Sequence, residues 1–362
     1  MVYENLLRDK RAIRELIRRI ESLKITRDVN IMEVCGTHTY TFFRFGLRKI
    51  MPSFVNLISG PGCPVCITED IFIDKAILLA QEKKNVIATF GDLVRVKGTR
   101  SSLEQERAKG AHILVVYSPY EALDYARTHP EKRVIFLGVG FETTAPVIAS
   151  VVKKAKEKKL KNFFLLTSHR LIPPAMQTLC EDKDIKIDGF ICPGHVSAII
   201  GQRPYESIVK RYRKGCVICG FEPFDMVLGI YLLLLQIKNN RPKMENEYKR
   251  VVNPRGNPLA EKLLREVFKV VDAPWRGFGI VRKSGLALHE RYQDLDAHQL
   301  IRRNIHFERR KSEGCLCAEV VKGKIGPSQC PQFRKICTPQ DPLGPCMISF
   351  EGTCRIYYEY GE

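Results

Sequence analysis

The sequence predicts an α/β fold with two doubly wound parallel-sheet domains followed by a small, loop-rich domain. Short runs of β-branched and other apolar residues alternate with helical stretches over most of the chain, and the last part replaces this alternation with Gly, Pro and Cys. Strands that are apolar throughout are typical of parallel sheets covered by helices on both faces. The number of such runs favours two sheets over one.

The predicted elements follow one another in strand–helix order, which implies parallel pairing with helical crossovers. The strands are expected at residues 30–34, 54–59, 86–90, 113–117, 134–139, 163–167, 187–192 and 216–220, and helices between them at 71–83, 119–128, 145–159 and 204–214.

These elements suggest four parts of the chain. Residues 1–29 hold an amphipathic helix that we expect to pack on the C-terminal domain. The first α/β domain is expected at 30–125 and the second at 126–238. The C-terminal domain follows at 239–362, and its first residues form a polar junction with Pro and Gly.

The composition is that of a folded protein with a basic surface. The 362 residues are 44% hydrophobic, carry a formal net charge of +19 and include no apolar run as long as a membrane span. Lys and Arg are scattered and are not interleaved with aromatic residues, so we expect a solvated surface without a nucleic-acid partner. The amphipathic N-terminal helix is unlike a signal peptide, which predicts a cytoplasmic protein with no membrane partner.

The first candidate site is C-G-T-H, directly after the strand expected at 30–34. Ligands of open α/β sheets bind beyond the carboxyl ends of strands, and Gly36 allows a tight turn there. Cys35 could be a thiolate ligand or a nucleophile, with His38 as proton partner or second ligand. A buried thiol beside a structural histidine explains this motif alone equally well.

The second candidate site is G-P-G-C-P-V-C at residues 60–66. C-P-x-C after a strand is typical of a thiol–disulfide pair or of half a metal site, and a helix beginning there would lower the pKa of a nearby thiol. Cys35, Cys63 and Cys66 together offer three soft ligands from the loops of one sheet. Three thiolates with an open position suit iron or zinc.

Three further loops follow predicted strands. They are G-F-E-T-T-A-P at 140–146, S-H-R at 168–170 and P-G-H-V-S at 193–197. The helix N–H groups after the first loop suit a phosphate or another small anion. His195 could be a base or ligand, with Cys192 assisting. Ordinary turns explain each loop as well, but their common edge predicts a cleft between the sheets.

The C-terminal segment concentrates cysteines in the pattern C-x-C-x12-C-x6-C-x8-C-x7-C, among many Pro and Gly residues. Such density outside a secreted protein indicates metal, cluster or redox chemistry, and four thiolates in shaped loops suit a [4Fe–4S] cluster. Zinc is the alternative, although paired C-x2-C knuckles are absent here. We expect cluster ligands at Cys330, Cys337, Cys346 and Cys354, and a redox pair or alternative ligands at Cys315 and Cys317.

Taken together, these motifs resemble the HypD family of hydrogenase maturation factors. The resemblance runs from about residue 30 to the C-terminus, with the motifs in matching order. The matching stretches are MEVCGTHTYTF, SGPGCPVCIT, GVGFETTAP, TSHRLIPPAM, ICPGHVSAIIG, the C-x-C and CTPQDPLGPCMISFEGTCRIYYEY.

The resemblance implies an assembly scaffold with redox activity rather than a conventional turnover enzyme. Such proteins help to build the Fe(CN)2(CO) group of [NiFe] hydrogenases with a small chaperone, HypC. Cyanide comes through HypE, and the hydrogenase large subunit is an indirect partner. The resemblance also implies two α/β domains, a third domain with a [4Fe–4S] cluster, and surroundings like those of ferredoxin–thioredoxin reductase, where ligand and redox cysteines are interleaved.

By the same resemblance, Cys35, Cys63 and Cys66 hold or hand over the iron, and His38 assists. Two other functions remain compatible with the residues. One is an iron–sulfur thiol–disulfide reductase acting on a protein partner, which needs the C-terminal cysteines and C-P-x-C but not Cys35. The other is a basic binding protein stabilised by zinc.

Overall fold

The computed structural model of the chain describes residues 7–301 and 314–361. All of the predicted strands are present, each within a few residues of its expected bounds. The strands are β1 (Val29–Glu33), β2 (Val55–Ser59), β3 (Asn85–Thr89), β4 (His112–Val115), β5 (Arg133–Gly140), β6 (Phe163–His169), β7 (Gly189–Pro193), β8 (Gly215–Cys219), β9 (Met244–Asn246), β10 (Phe268–Trp275) and β11 (Gly279–Leu288).

These strands form two parallel sheets and one antiparallel hairpin. The first sheet has the order β2-β1-β7-β8-β9 and the second the order β4-β3-β5-β6, while β10 pairs with β11. Within both sheets every strand pair is parallel. The predicted α/β class with doubly wound parallel sheets is therefore confirmed, and the loop-rich, cysteine-containing end of the chain is consistent with the third part of that prediction.

The sheets divide the chain differently from the boundary expected between residues 125 and 126. The first sheet takes its strands from residues 29–59 and 189–246, and the second from 85–169. The chain completes the second sheet and then returns, because β7 pairs with β1 in the register Ile31 to Gly189. The expected junction at 239–257 also contributes β9 to the first sheet.

Helices cover both sheets, and α1 packs on α12 rather than on the segment from residue 239 where we expected it. Its buried face joins the core of the first sheet, because the apolar surface of α12 lies there. The helices are α1 (Lys10–Ser22), α2 (Gly36–Arg44), α3 (Leu47–Ile50), α4 (Pro64–Ile67), α5 (Asp70–Ala80), α6 (Leu103–Ala108), α7 (Pro119–Thr128), α8 (Ala145–Glu157), α9 (Ile172–Glu181), α10 (Gly194–Ile200), α11 (Glu206–Tyr212), α12 (Pro223–Lys238), α13 (Pro258–Val267), α14 (Cys317–Val321), α15 (Pro345–Ile348) and α16 (Thr353–Tyr360).

The two sheets share one hydrophobic core. Side chains from the end of the second sheet, such as Val139 and Phe141, belong to the same buried cluster as Phe190 and Cys192 of the first sheet. Cys317 and Cys346 belong to it as well. The C-terminal cysteines are thus packed against the strand-end loops of the sheets. None of the helices within the described residues is long and apolar enough to cross a membrane.

Candidate thiol and metal site

Cys35 lies at the carboxyl end of β1, directly before the first turn of α2. The Gly36 amide donates a hydrogen bond to the Gly62 carbonyl over 3.2 Å, so the loop of Cys35 lies against the loop of Cys63. A β-carbon at Gly62 would lie 2.4 Å from the Cys35 α-carbon, which is too close for any side chain. The two loops therefore bring their cysteines to one edge of the first sheet.

Cys63 and Cys66 are joined by a disulfide across α4. Both side chains are buried, and the Cys66 amide donates to the Cys63 sulfur over 3.1 Å. Pro64 occupies the start of the helix, where its missing N–H costs nothing. The pair is held in the proximity that thiol–disulfide exchange and joint metal binding both require.

A buried carboxyl group that the sequence analysis missed lies beneath the Cys35 loop. Glu33 ends β1 and accepts hydrogen bonds from Ser59 Oγ at 2.6 Å and Thr39 Oγ1 at 2.8 Å. Burial raises the pKa of Glu33 to about 7, although the nearby charge of Arg48 opposes the shift. The residue ties the ends of β1, β2 and α2 together. Its signal was an acidic side chain within an otherwise apolar strand.

The C-terminal segment reaches the same loop through Glu351. Thr37 Oγ1 donates to Glu351 Oε1 over 3.1 Å, and a β-carbon at Gly36 would lie 2.5 Å from the Glu351 carbonyl oxygen. Burial, and then the negative charge of Glu351, raise the pKa of Cys35 to about 12. Cys35 therefore keeps its proton at neutral pH unless a metal displaces it. No local pattern indicates this contact, which joins residues 314 positions apart.

His38 touches Cys35 through its backbone, since its amide donates to the Cys35 carbonyl over 3.0 Å. Its ring Nε2 donates to the Gly220 carbonyl over 3.0 Å, and Nδ1 is buried without a hydrogen-bond partner among the described residues. Burial lowers the pKa of His38 to about 4, so the ring is neutral. Phe221 stacks on His195 with 3.9 Å between ring centroids, and its ring lies tilted against His38 at 4.8 Å. The predicted roles of both histidines stay predictions.

The loops of the second sheet form a separate polar group. Glu142 is buried and accepts a hydrogen bond from the Ile172 amide over 3.0 Å, and burial raises its pKa to about 8. His169 is buried beside it along the sheet edge, and Arg170 donates to the Pro274 carbonyl of the hairpin over 2.8 Å. These residues bind α9 and the hairpin to the sheet. The anion site expected in this loop stays a prediction.

Three other cysteines of the first sheet lie in its core. Cys192, Cys216 and Cys219 are all fully buried. Cys192 and Cys216 form a hydrogen bond, and burial, with the hydrogen bond and charge of Cys216, raises the pKa of Cys192 well above its ordinary value. Cys216 and Cys219 therefore serve as core residues of the first sheet.

The C-terminal thiols form a chain of neighbours. Cys317 hydrogen-bonds with Cys315 on one side and with Cys346 on the other, and Cys346 also hydrogen-bonds with Cys354. The hydrogen bond with Cys317, and then burial, raise the pKa of Cys315. The contacts therefore do not separate Cys315 and Cys317 from the other cysteines as a distinct pair.

The remaining two thiols lie on the other side of Cys315. The charges of Cys315 and Cys330 both act on Cys337, whose sulfur accepts the Leu343 amide over 3.5 Å. Cys330 and Cys337 are buried. All six C-terminal cysteines thus belong to one neighbourhood.

Short contacts link this neighbourhood to the disulfide. Helix α4 packs against both α14 and α15, which carry Cys317 and Cys346. The Cys66 sulfur lies 3.8 Å from the Pro345 carbonyl oxygen, next to Cys346. The elements that carry the two groups of thiols, which come from distant parts of the sequence, are therefore in contact.

Arg276, in the turn of the hairpin, binds the residues that end and follow α4. Its amide donates to the Ile67 carbonyl over 2.8 Å, and its guanidinium donates to the Thr68 carbonyl over 2.6 Å. It also forms an ion pair with Asp70 at 2.8 Å. Arg276 was not predictable from the sequence, because no residue near it indicates a partner far along the chain.

As they lie, no three His, Cys, Asp or Glu side chains in the described part of the chain form a group that could hold a metal ion. The chemistry of the donors nevertheless fits an iron–sulfur cluster. Several buried thiols meet in one neighbourhood, and thiolates are the usual cluster ligands.

Fold and site together define an α/β protein with two neighbouring groups of cysteines, the residue type that binds soft metals and exchanges disulfides. A family model described as "HypD: Hydrogenase formation hypA family" matches residues 11–361. The chain belongs to the HypD family of hydrogenase maturation factors.

Curated relatives resemble the chain over nearly its whole length. It is 40% identical to a hydrogenase maturation factor HypD of Escherichia coli, over 93% of the chain and 90% of that protein. It is 39% identical to a HypD of Rhodobacter capsulatus, over 97% of the chain and 95% of that protein. A hydrogenase expression/formation protein HupD of Azotobacter chroococcum is 38% identical, over 100% and 97%.

Proposed function

We propose that the chain is the scaffold on which iron, as the substrate of assembly, receives cyanide and CO for a [NiFe] hydrogenase. A small HypC-type chaperone shares the iron, a HypE-type protein supplies cyanide, and the hydrogenase large subunit receives the finished group. The observation that carries this proposal is the backbone contact between Gly36 and Gly62, which brings Cys35 to the C-P-V-C pair.

The thiols suit that substrate for a chemical reason. Cyanide and CO bind low-spin iron, and soft, electron-rich thiolates are good ligands for such iron. Cys35, Cys63 and Cys66 would hold the iron while the partner and the incoming diatomics fill other positions. Since the pKa of Cys35 is about 12, iron binding must displace its proton. His38 would assist as a neutral neighbour rather than hold that proton, because burial lowers the pKa of its ring to about 4.

For the cluster we propose Cys330, Cys337, Cys346 and Cys354 as ligands, with Cys315 and Cys317 as the redox pair or as alternative ligands. When bound, a [4Fe–4S] cluster supplies one electron at a time. The contact between Cys317 and Cys346 supports a second division, in which these two form the redox pair. Cys317 belongs to the pair in both divisions.

The redox pair and the Cys63–Cys66 disulfide form a relay in this proposal. A dithiol that contains Cys317 would exchange with the disulfide and become oxidised, and Cys63 and Cys66 would become thiols ready for iron. The packing of α4 against α14 and α15 supports the exchange, because no other element separates them.

The test is infrared and Mössbauer spectroscopy of the anaerobically purified chain together with its small partner. The wild type should show bands of metal-bound cyanide and CO, and Cys35→Ala should lack them. Cys180→Ala is the matched control, since Cys180 is also half-buried but lies on α9. Bands of normal strength in Cys35→Ala would exclude Cys35 as the iron ligand.

The Cys63–Cys66 disulfide favours a second candidate, a thiol–disulfide reductase that acts on a protein partner. Such a reductase needs the C-P-V-C pair and the C-terminal thiols but not Cys35. The two functions separate in one experiment. If the chain with its partner shows no bands of metal-bound diatomics, while Cys35→Ala still reduces a protein disulfide at the wild-type rate, the reductase is the better description.

A further inference from the structure

A cavity of about 940 Å3 opens beside the C-terminal thiols. Its wall includes Cys315, Cys317, Gly344 and Arg276. This volume lies in the range of small-molecule binding sites. The site has no role in the proposed assembly of iron at Cys35.

We propose that this cavity is the entry site for an external thiol reductant, which delivers electrons to the disulfide that Cys317, a free thiol in this structure, forms in the proposed relay. The inference rests on the proposed function, because it names the partner class of the relay. The recognisable chemistry is a dithiol, carried by a small molecule or by a protein.

The position of the cavity supports this assignment. Among its described lining residues are Cys315 and Cys317 but none of Cys35, Cys63 and Cys66. Cys66 instead touches the carbonyl of Pro345, and Pro345 also lines the cavity. The reductant can therefore approach the redox pair from one side while the iron site occupies the other.

Gly344 keeps the sulfur atoms close to the cavity surface. A β-carbon there would lie 3.0 Å from the Cys315 sulfur and 3.2 Å from the Cys317 β-carbon, so a side chain would press on both thiols. The absence of a side chain at Gly344 therefore leaves room between the cavity and the sulfur atoms of Cys315 and Cys317.

Arg276 places a positive charge at the wall. Arg276 lines the cavity together with Cys315 and Cys317, and its guanidinium is held in place by Thr68 and Asp70. Disulfide exchange expels a thiolate, and a fixed cation beside the leaving sulfur stabilises it.

Two exposed isoleucines line the cavity as well. Ile71 is 40% exposed and Ile336 is 56% exposed. Apolar side chains at an opening that also carries charged groups, such as Asp74 and Lys97, offer a contact for the body of the molecule that carries the dithiol.

The reaction is a pair of exchanges that balance. A thiolate of the reductant attacks the Cys317 sulfur, forms a mixed disulfide and expels the partner cysteine, Cys315 or Cys346, as a thiolate. The second thiol of the reductant then attacks the mixed disulfide, which releases Cys317 and leaves the reductant with an internal disulfide. Two electrons and two protons pass from the reductant to the protein.

The test uses the full chain, purified anaerobically and then oxidised with diamide. Timed alkylation and peptide mass spectrometry follow the loss of the disulfide containing Cys317, with dithiothreitol in one arm and a thioredoxin-type protein in the other. Ile71→Trp narrows the opening and should slow reduction about tenfold or more in at least one arm. The arm that slows identifies the source of the dithiol.

Val147→Trp is the matched control, because Val147 is 38% exposed, lies early in a helix and is not among the described lining residues. Ile336→Trp serves as a second narrowing variant. Wild-type rates for both narrowing variants in both arms would overturn the inference, as would the absence of any disulfide at Cys317 after oxidation.

Failure of the inference and failure of the proposed function can be told apart. Dithionite carries no thiol, so dithionite-reduced Ile71→Trp with its partner should still show the infrared bands of metal-bound diatomics. If wild-type protein lacks those bands, the assembly function fails. If the bands are present and the disulfide of the narrowing variants is reduced at the wild-type rate, only the proposed entry site is wrong.

Discussion

The two groups of thiols in this chain are positioned by different kinds of structure. Cys35, Cys63 and Cys66 follow strands of a parallel sheet whose register is fixed by paired backbone groups. The C-terminal cysteines lie on short helices and turns, and α14 and α15 have only five and four residues. The sheet therefore positions Cys35, Cys63 and Cys66, whereas loops and short helices position the C-terminal cysteines.

The two regions should differ in how much their structure depends on a bound metal. Parallel strands buried on both faces keep their ends in place without a ligand, because their own hydrogen bonds and core hold them. Loops and helices of one turn lack that support, and metal ligation often supplies it. We expect the strand-end site to persist without iron and the C-terminal region to depend on its cluster.

The sharpest way to separate the two groups is the double variant Cys63→Ala with Cys66→Ala. It removes two proposed iron ligands from the sheet edge and leaves all six C-terminal cysteines. The infrared bands of metal-bound cyanide and CO should disappear completely, while the visible absorbance of the cluster remains. Loss of cluster absorbance in this variant would mean that the two groups form one site.

Removal of the cluster should affect only the loop-built region. After treatment with a strong iron chelator under reducing conditions, amides in residues 315–360 should exchange about 100-fold faster in hydrogen-exchange mass spectrometry. Amides of β1 and β7 should keep their protection and serve as the internal control. Equal loosening of both regions would contradict the comparison.

A smaller effect is expected from Gly62→Ala, which tests the fit of the two strand-end loops. The added β-carbon would lie 2.4 Å from the Cys35 backbone, so the loops must separate. We expect the free energy of unfolding in urea to fall by about 2–3 kcal/mol, and iron-bound bands to weaken.

Gly91→Ala is the control for that variant, because its nearest contact would be Val115 at 3.8 Å, an ordinary distance. It should change the unfolding free energy by less than about 1 kcal/mol. A similar loss of unfolding free energy in both variants would show that the close approach of Gly62 to Cys35 does not determine stability.

The strand-end site was easier to predict from the sequence than the loop-built C-terminal region. The strands were predictable because apolar runs bounded by turn residues are a local pattern, and the rule that ligands bind at strand ends then indicated Cys35, Cys63 and Cys66. The hairpin β10–β11 was missed because its exposed residues, such as Val270 and Ile280, disturb the alternation.

Contacts between distant segments were not predictable in the same way. The return of the chain to β1 through β7 follows from pairing across the whole second sheet, and no nearby residue indicates it. Glu351 and Arg276 reach the two thiol groups from loops without periodicity. Composition predicted that the C-terminal cysteines form one neighbourhood, but only three-dimensional packing determines which sulfur touches which.

In the second sheet, the loop after β5 carries a buried carboxyl group, Glu142, instead of a thiol, and its titration should affect stability. Glu142 has a folded-state pKa of about 8, raised by burial, whereas an unfolded chain has the ordinary value near 4.5. Below about pH 4.5 the group is protonated in both states and its contribution to stability is fully present. Between about pH 4.5 and 8 only the folded state keeps the proton, so stability falls as pH rises, by an amount on the order of 5 kcal/mol.

Glu142→Gln resembles the protonated acid at every pH and should remove that decline. Chemical unfolding from pH 5 to pH 8.5 should show the variant gaining stability relative to wild type as pH rises. Glu106→Gln should show a constant difference from wild type over this range. Burial alone would raise the pKa of Glu106, but hydrogen bonds from Lys109 and Ser101 lower it, so its contribution to stability is lost only as pH falls below about 4.5. Parallel profiles for the two variants would refute the buried, neutral state of Glu142, and unchanged infrared bands in Glu142→Gln would confine its role to stability.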